Sequence, residues 1–231
     1  MDDSQLRKRD VMNDRQSQRL QVRVRGPLAC FTRPEMKVER VSYEVMTPSA
    51  ARGVLEAILW KPAIRYRIHE IAVQSDIRWI SFRRNEVESR MSGRRRDYCA
   101  DEDRAQRHTV ALRDVDYVIT ASFSLTAQAG PEDNVRKFEE MFLRRLEKGQ
   151  HFHAPYLGCR EFAADVSPVD ETVQPIQIGV DRPLGLMFFD FDYRGDGTRP
   201  LFFEARLRDG VVHVPTHEEV LAHTGAAEVS P

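Results

Sequence analysis

Residues 115–125, VDYVITASFSL, form the clearest strand pattern in the chain. Apolar side chains occupy every second position from Val115 to Leu125, and the positions between them are mostly polar. A period of two residues is typical of a β-strand that buries one face and exposes the other. The predicted fold is therefore built around this strand.

Two strands and a helix are predicted on its N-terminal side. Leu20–Arg25 and Ile64–Val73 alternate apolar and polar side chains over most of their length, as half-buried strands do. Between them, Thr47 suits a helix N-cap and Pro48 suits the first helical position. Apolar residues follow at helical spacing over Ala51–Leu59, which predicts a helix with one buried face.

A helix and a strand are predicted on its C-terminal side. Pro131 is expected to open the helix, which carries an apolar stripe over Val135–Leu146, and a strand near Arg160–Val166 follows. Two segments that precede the central strand complete the pattern. Ile77–Phe82 is predicted either to continue the Ile64–Val73 strand or to form a short partner strand. The highly charged residues 83–107 are predicted as an exposed loop or hairpin.

The order of these elements is β-α-β-β-α-β, which predicts an α+β fold of the ferredoxin-like type. In this arrangement both helices cover one face of an antiparallel sheet. The other face would carry a basic set of side chains: Arg23, Arg25, Arg65, Arg67 and His69. A basic sheet face is a common RNA-binding surface, although a solvated face or one covered by a second domain would show the same pattern.

The last third of the chain predicts a smaller unit. Ser167–Pro175 suits a linker. Beyond it, Leu184–Tyr193, Pro200–Leu207 and Val211–Val214 are predicted as short strands joined by glycine-containing turns. We therefore expect a disordered leader at residues 1–18, a ferredoxin-like domain at residues 19–168, and a small antiparallel β-sheet domain at residues 169–231.

The basic residues are nearly all arginine. The chain has 35 lysines and arginines, of which five are lysines, and its formal net charge is -1. The planar guanidinium of arginine makes two-point contacts with phosphate and stacks on bases, so this bias fits an RNA-binding protein. A GC-rich genome would produce the same bias, and composition does not separate the two explanations.

Composition also excludes several classes of protein. No apolar run approaches the roughly 18 residues that span a membrane, and the polar N-terminus lacks the apolar centre of a signal peptide. A cytoplasmic protein with no membrane partner is therefore expected. The three cysteines, Cys30, Cys99 and Cys159, are too few for a disulfide framework or a four-cysteine zinc site.

Three stretches carry a family resemblance: FTRPEMKVERVSYEVMTPSAARGVLEAILWKP at residues 31–62, IRWISFRRNEV at residues 77–87, and RRLEKGQHFHAPYLGCREF at residues 144–162. They resemble the CRISPR-associated protein family five, in its subtype I-C (Dvulg) branch. The similarity extends over about residues 20–215. It implies a ferredoxin-like N-terminal domain of the RAMP superfamily and a small β-sheet C-terminal domain.

The resemblance also implies a function. Proteins of this branch are expected to cleave precursor CRISPR RNA within the repeat hairpin, without metal or other cofactor, and to remain bound to the 5′ handle of the guide. The other subunits of the type I-C interference complex are then expected partners, and target DNA is a further candidate. The alternative is a non-catalytic RNA-binding structural subunit of that effector complex. A more distant one is a ferredoxin-like domain with a small-molecule role.

Metal-independent RNA cleavage has defined chemical requirements. The ribose 2′-OH attacks the adjacent phosphate, and the product ends in a 2′,3′-cyclic phosphate. A base removes the 2′ proton, a cation stabilises the charged intermediate, and an acid protonates the leaving 5′ oxygen. The sequence offers no carboxylate cluster typical of catalytic metals, so no metal site is predicted.

The family's proposed catalytic residues are a tyrosine before the first helix and a lysine–histidine pair at the start of the second. The resemblance places the tyrosine at Tyr43 and the lysine at Lys137. Phe138 holds the histidine position and lies on the apolar stripe, so this chain departs from the pattern there. Because tyrosine has an ordinary pKa near 10, Tyr43 is a poor base at pH 7 and could instead orient the 2′-OH or the phosphate.

Another histidine would have to replace the missing one. His151 and His153 are candidates because they follow the second helix, and His69 is a candidate because it shares the predicted basic face. Each also fits an ordinary structural position. The spacing of His151 and His153 would suit a metal, but no third ligand accompanies them.

Further candidate phosphate contacts lie in the loop before Tyr43, in the charged connection and on the second helix: Arg33, Lys37, Arg40, Arg83, Arg84, Arg94, Arg95, Arg96 and Arg144. A hairpin RNA needs many phosphate contacts, which favours the group as a whole. Each residue taken singly also fits a solvated surface.

Overall fold

The structure, a computed structural model, describes residues 15–89, 101, 103–170, 181–193 and 197–227. Within these ranges the strands are β1 (Leu20–Ala29), β2 (Arg40–Val41), β3 (Ile64–Val73), β4 (Arg78–Val87), β5 (Arg104–Leu125), β6 (Asp165–Ser167), β7 (Arg182–Asp192), β8 (Arg199–Arg208) and β9 (Val211–His213). The helices are α1 (Pro48–Ile58), α2 (Val135–Glu147) and α3 (His217–Ala227), and Pro34–Met36 forms a 3₁₀ turn.

Strand β5 is the centre of the sheet. The strand order is β6-β1-β5-β3-β9-β8-β7. The C-terminal half of β5 pairs antiparallel with β1 and β3, and its N-terminal half pairs with β4 and β2. The strand predicted at Val115–Leu125 is therefore one half of a 22-residue element. The two ends of the predicted loop or hairpin at residues 83–107 are strands. Residues 83–87 of β4 pair with β5, and the last pair before the turn joins Val87 to Arg104.

Helices α1 and α2 cover one face of this sheet, as predicted. Phe138 of α2 packs against Phe123 of β5 with ring centroids 6.5 Å apart, and Phe142 packs against Tyr66 of β3 at 6.0 Å. The hydroxyl of Tyr66 donates to the carbonyl oxygen of Leu59, just after α1, at 2.9 Å. Each phenylalanine buried in this layer stabilises the fold by about 1.5–3 kcal/mol.

Helix α2 begins later than predicted. The expectation of a start at Pro131 is wrong, because the side-chain oxygen of Asn134 accepts the backbone N–H of Lys137 at 2.9 Å and caps the helix. The residues before the cap form a separate turn, in which Asp133 donates its N–H to the carbonyl oxygen of Gly130 at 3.1 Å.

The C-terminal strands continue the same sheet. Strand β8 pairs antiparallel with β7 on one side and with β9 on the other. Strand β9 also pairs with β3, where His213 lies opposite Glu70. The division into domains at residue 168 remains a prediction. Helix α3 was not predicted, because its apolar residues do not follow a helical period; Val220 is its buried contact.

The described part of the predicted leader lies along β5. Ser17 donates its N–H to the carbonyl oxygen of Phe123 at 2.8 Å, and Leu125 donates to the carbonyl oxygen of Arg15 at 2.9 Å. The rest of that prediction, residues 1–14, falls outside the described residues. No helix within the described ranges combines the length and apolar character needed to cross a membrane.

Candidate nucleic-acid interface

The face of the sheet opposite α1 and α2 carries the predicted basic set. The register places its four arginines opposite even-numbered residues of β5, whereas Phe123, which packs on α2, is odd-numbered. Successive residues of a strand point to opposite faces, so the arginines point away from the helices. His69 joins them, because its Nε2 lies 2.8 Å from the hydroxyl of Ser122.

Two of these arginines are neutralised by carboxylates. Arg23 makes a two-point contact with Asp116, at 3.1 and 2.6 Å. Arg25 pairs with Asp165 at 2.8 Å. These contacts tie β1 to β5 and β6, so both guanidinium groups have structural partners that RNA phosphates would have to displace.

The other two arginines remain available. Arg65 and Arg67 of β3 are exposed, and no described carboxylate lies within ion-pair distance of either guanidinium. Both line a groove of about 570 Å³ between β3, the start of α1, the end of β7 and the residues after β9, which we name the β3–β7 groove. Arg52 of α1 also lines it and pairs with Asp190 at 2.9 Å.

The β7 wall of this groove carries aromatic rings together with two carboxylates, Asp190 and Asp192. Phe191 lies 4.9 Å from Phe188 and 6.2 Å from Tyr193, measured between ring centroids. Tyr193 is 67% exposed and Phe191 39%. Exposed rings beside unpaired arginines suit a single-stranded nucleic acid, because bases stack on the rings while guanidinium groups contact phosphates.

Tyr43 is buried, with 2% of its surface exposed. Its hydroxyl accepts the backbone N–H of Phe188 in β7 at 3.2 Å, and the guanidinium of Arg33 lies 4.5 Å from its ring centroid. Burial raises the pKa of Tyr43 above its ordinary value. The side chain is therefore a neutral phenol at pH 7 that holds β7 against the segment before α1.

Lys137 lies in the first turn of α2, with its ammonium 2.9 Å from Asp133. The hydrogen bond from this ammonium is the largest cause that lowers the pKa of Asp133. Lys137 lines a small cleft with Lys61, Pro62 and Ala63, which follow α1.

Tyr43 and Lys137 are not brought into contact. Tyr43 precedes α1 and reaches β7, whereas Lys137 lies beside the residues that follow α1. Phe138, at the position where the resemblance implies a histidine, is 2% exposed and packs on Phe123. Its ring fills the core between α2 and β5, so this position has a structural role in the fold.

The three candidate histidines lie in two places. His69 is half-buried on the basic face, where burial, followed by Arg67 and Arg19, lowers its pKa. His151 and His153 are exposed in the loop after α2, on the helix side of the sheet, where the N–H of His153 donates to Ala57 of α1 at 3.4 Å. The described residues contain no group of three potential metal-binding side chains.

The remaining basic candidates are dispersed. Arg40 and Arg84 both pair with Glu86 and Glu161, which locks them into one ion-pair network. Arg83 donates to the side chain of Gln106 at 3.3 Å. Lys37 and Arg144 are exposed, and the predicted contacts Arg94, Arg95 and Arg96 lie outside the described residues.

Sequence patterns alone missed the aromatic wall and Arg52. The signal was the stretch FDFDY at residues 189–193, whose aromatic and acidic residues all line the groove. Nothing in that pattern identifies β3 as the opposite wall, because the pairing of β9 with β3 brings the two together.

Comparison with known proteins identifies the family. A family model described as CRISPR-associated protein (Cas_Cas5), of the Cas5d type, matches residues 19–215. The chain belongs to this family. The protein named CRISPR pre-crRNA endoribonuclease Cas5d from Mannheimia succiniciproducens is 46% identical over 215 residues, covering 85% of this chain and 95% of that protein. The protein of the same name from Thermus thermophilus is 43% identical over 218 residues, covering 87% and 93%.

Solved structures share the fold of this Cas5d family member. A crystal structure of a CRISPR-associated protein superposes with a TM-score of 0.69 at 25% identity, over 90% of this chain and 96% of that one. The protein SMU1763c from Streptococcus mutans superposes with a TM-score of 0.68 at 23% identity, over 89% and 96%. The mixed α/β architecture is therefore shared with Cas5-like proteins.

Proposed function

We propose that this protein is an endoribonuclease that cleaves precursor CRISPR RNA within the repeat hairpin. The observation that carries the proposal is the identity of 46% and 43% to two proteins named CRISPR pre-crRNA endoribonuclease Cas5d, each matched over more than nine tenths of its length. The proposed reaction needs no metal: the 2′-OH attacks the adjacent phosphate and the 5′ oxygen leaves, which produces a 2′,3′-cyclic phosphate.

Lys137 is the proposed cation that stabilises the charged intermediate. Its ammonium is exposed in the first turn of α2, where the helix N-terminus adds positive potential. To contact a phosphate it must leave Asp133. Solvent screens an exposed ion pair of this kind, so an incoming phosphate can replace that carboxylate.

We propose His151 and His153, in the loop after α2, as candidates for the proton-accepting base. His151 and His153 lie on the helix side of the sheet with Lys137, whereas His69 lies on the opposite face beside Ser122. His69 and Lys137 therefore do not face the same phosphate. His69 is better suited to hydrogen-bond RNA on the basic face.

The proposed RNA path joins the β3–β7 groove to the Lys137 cleft. The cleft is lined by residues 61–63, and Arg65 of the groove follows two residues later. Two residues of extended chain span about 7 Å, close to the spacing of successive phosphates in an extended strand. A strand stacked on Phe191 and Tyr193 would therefore reach Lys137 by passing over the start of β3. Tyr43 is the proposed positioning residue, because it fixes the β7 wall at Phe188.

We infer that β1, α1, β3, β5, α2 and β6 form a ferredoxin-like unit, supported by the strand order β6-β1-β5-β3 with both helices on one face. We further propose that the protein works in the cytoplasm and stays on the guide 5′ handle in the type I-C interference complex. Its partners there are the other subunits and target DNA.

An assay with labelled repeat RNA tests the proposed activity. Purified protein in excess, in buffer containing EDTA, should convert the RNA into one upstream fragment that ends in a 2′,3′-cyclic phosphate. Binding without any product at saturating protein would contradict the proposal.

Binding of the repeat RNA without any product would support a second candidate function, a non-catalytic RNA-binding subunit. Two observations favour it: Phe138 stands where the family has histidine, and Lys137 is held by Asp133.

A further inference from the structure

Cys30 lies beside Cys159, which belongs to the loop between α2 and β6. Cys30 follows β1, and its N–H donates to the carbonyl oxygen of Leu157 at 3.0 Å. The sulfur of Cys159 lies 3.6 Å from the carbonyl oxygen of Cys30. The hydroxyl of Thr32 lies 3.5 Å from the sulfur of Cys30 and 4.0 Å from that of Cys159, so it contacts both thiols.

Gly158 allows the two backbones to approach this closely. It has a φ of 82°, a conformation that side chains other than glycine rarely adopt. A Cβ at this position would also fall inside contact distance of the carbonyl oxygen of Cys30. Gly158 thereby brings the neighbouring Cys159 against Cys30, with its sulfur 3.6 Å from the carbonyl oxygen of that residue.

The two thiols differ in character. A guanidinium nitrogen of Arg40 lies 3.5 Å from the sulfur of Cys159 and favours its thiolate, although the same nitrogen pairs with Glu161, whose negative charge opposes the thiolate. The interaction with the side chain of Cys30 is the largest cause that lowers the pKa of Cys159 below its ordinary value, against the effect of burial. The same interaction, with burial, raises the pKa of Cys30. Cys159 is half-buried whereas Cys30 is fully buried.

We propose that Cys159 is an oxidation site for hydroperoxides and that Cys30 resolves it to an intramolecular disulfide. The Cys159 thiolate attacks one oxygen of hydrogen peroxide, which displaces hydroxide and leaves a sulfenic acid. The sulfur of Cys30 then loses its proton and attacks the sulfur of Cys159, which releases the sulfenic oxygen as water. Two thiols and one peroxide thus yield one disulfide and two waters. This chemistry is independent of RNA cleavage.

Mass spectrometry of the peroxide-treated protein tests this site. The reduced chain is treated with a small excess of hydrogen peroxide, its remaining thiols are alkylated, and it is digested without reductant. The expected product is a linked peptide that joins Cys30 to Cys159 within one chain, two hydrogens lighter than the two thiol peptides. The third thiol is removed in a Cys99→Ser control, which should give the same linkage.

Single variants in the Cys99→Ser background assign the order of events. In Cys30→Ser, the sulfenic acid on Cys159 has no resolving thiol and should be trapped by dimedone at that residue. In Cys159→Ser, Cys30 should remain unmodified under the same conditions. Full recovery of Cys159 as alkylated thiol from the unsubstituted chain would overturn the proposal, and so would dimedone labelling of Cys30 in place of Cys159.

Discussion

At the scale of single residues, Tyr43 is a buried phenol with a fixed partner. Its hydroxyl accepts the N–H of Phe188, and burial raises its pKa above the ordinary value near 10. Removing its proton at pH 7 is therefore harder than in a free tyrosine. A structural hold on β7 accounts for these contacts better than proton transfer does.

The pH dependence of cleavage separates these roles. A histidine base gives a single-turnover rate that rises with pH and levels off near neutrality. A tyrosine base with a raised pKa would give a rate that still increases about tenfold per pH unit from pH 7 to 9. We expect the plateau, measured at saturating protein and corrected for RNA hydrolysis in buffer.

Lys137→Ala and Tyr43→Phe should each slow cleavage more than they weaken binding. We expect Lys137→Ala to lower the single-turnover rate by about a hundredfold, because a cation aimed at developing charge contributes about 2.7–4 kcal/mol when it is well placed. The affinity for repeat RNA should fall by less than tenfold in both variants. Arg136→Ala provides the matched control, because Arg136 is also exposed on α2 and pairs with Glu140 of the same helix at 2.9 Å. Parental rates in both test variants would show that the active site lies elsewhere.

Several properties of these residues could be predicted from the sequence. Phe138 was expected in the core because it lies on the apolar stripe of α2, and it is buried there. The pairing of Arg23 with Asp116 could not be predicted, since it depends on the register between β1 and β5. The same register decides which arginines of the basic face remain free.

At the scale of elements, the cap of α2 sets where Lys137 lies. Asn134→Ala removes the acceptor for the N–H of Lys137 and should lower the free energy of unfolding by about 1 kcal/mol. Denaturation in urea would measure this loss. Asn134→Ser, which keeps a capping oxygen, should recover most of it. No difference between the alanine and serine variants would contradict the assigned cap.

The β3–β7 groove should contact single-stranded RNA beside the hairpin. Tyr193→Ala is expected to weaken binding of a repeat RNA with single-stranded flanks by about tenfold, because base stacking on an aromatic ring contributes about 1–3 kcal/mol. Binding of the hairpin without flanks should not change. Leu186→Ala is the control, since Leu186 is equally exposed on β7, at 63%, but does not line the groove. Equal losses of affinity for the RNAs with and without flanks would show that the single-stranded flank does not bind in this groove.

The β3–β7 groove could not be predicted from the sequence, although the strands on both of its walls, β3 and β7, were predicted. The groove itself forms because β9 pairs with β3 and brings β8 and β7 to that edge of the sheet. Local periodicity does not encode which distant strands pair, so the groove and Arg52 could not be predicted.

At the scale of the whole molecule, one sheet organises the protein. The order of strands and helices predicted that α1 and α2 would share a face and that the basic side chains would occupy the other, and both expectations are confirmed. The continuation of that sheet through β9, β8 and β7 was not predicted. It brings β7 to the basic face, so that Arg65 and Arg67, which have no ion-pair partner among the described residues, lie beside exposed rings.

The central claim is that this protein cuts RNA through the 2′-OH beside the scissile phosphate. The most direct test compares repeat RNA with the same RNA carrying a single 2′-deoxy nucleotide at the cleavage position, at saturating protein in EDTA. We predict equal affinity for both RNAs, complete single-turnover cleavage of the first and none of the second. Cleavage of both RNAs, or of neither, would contradict the claim.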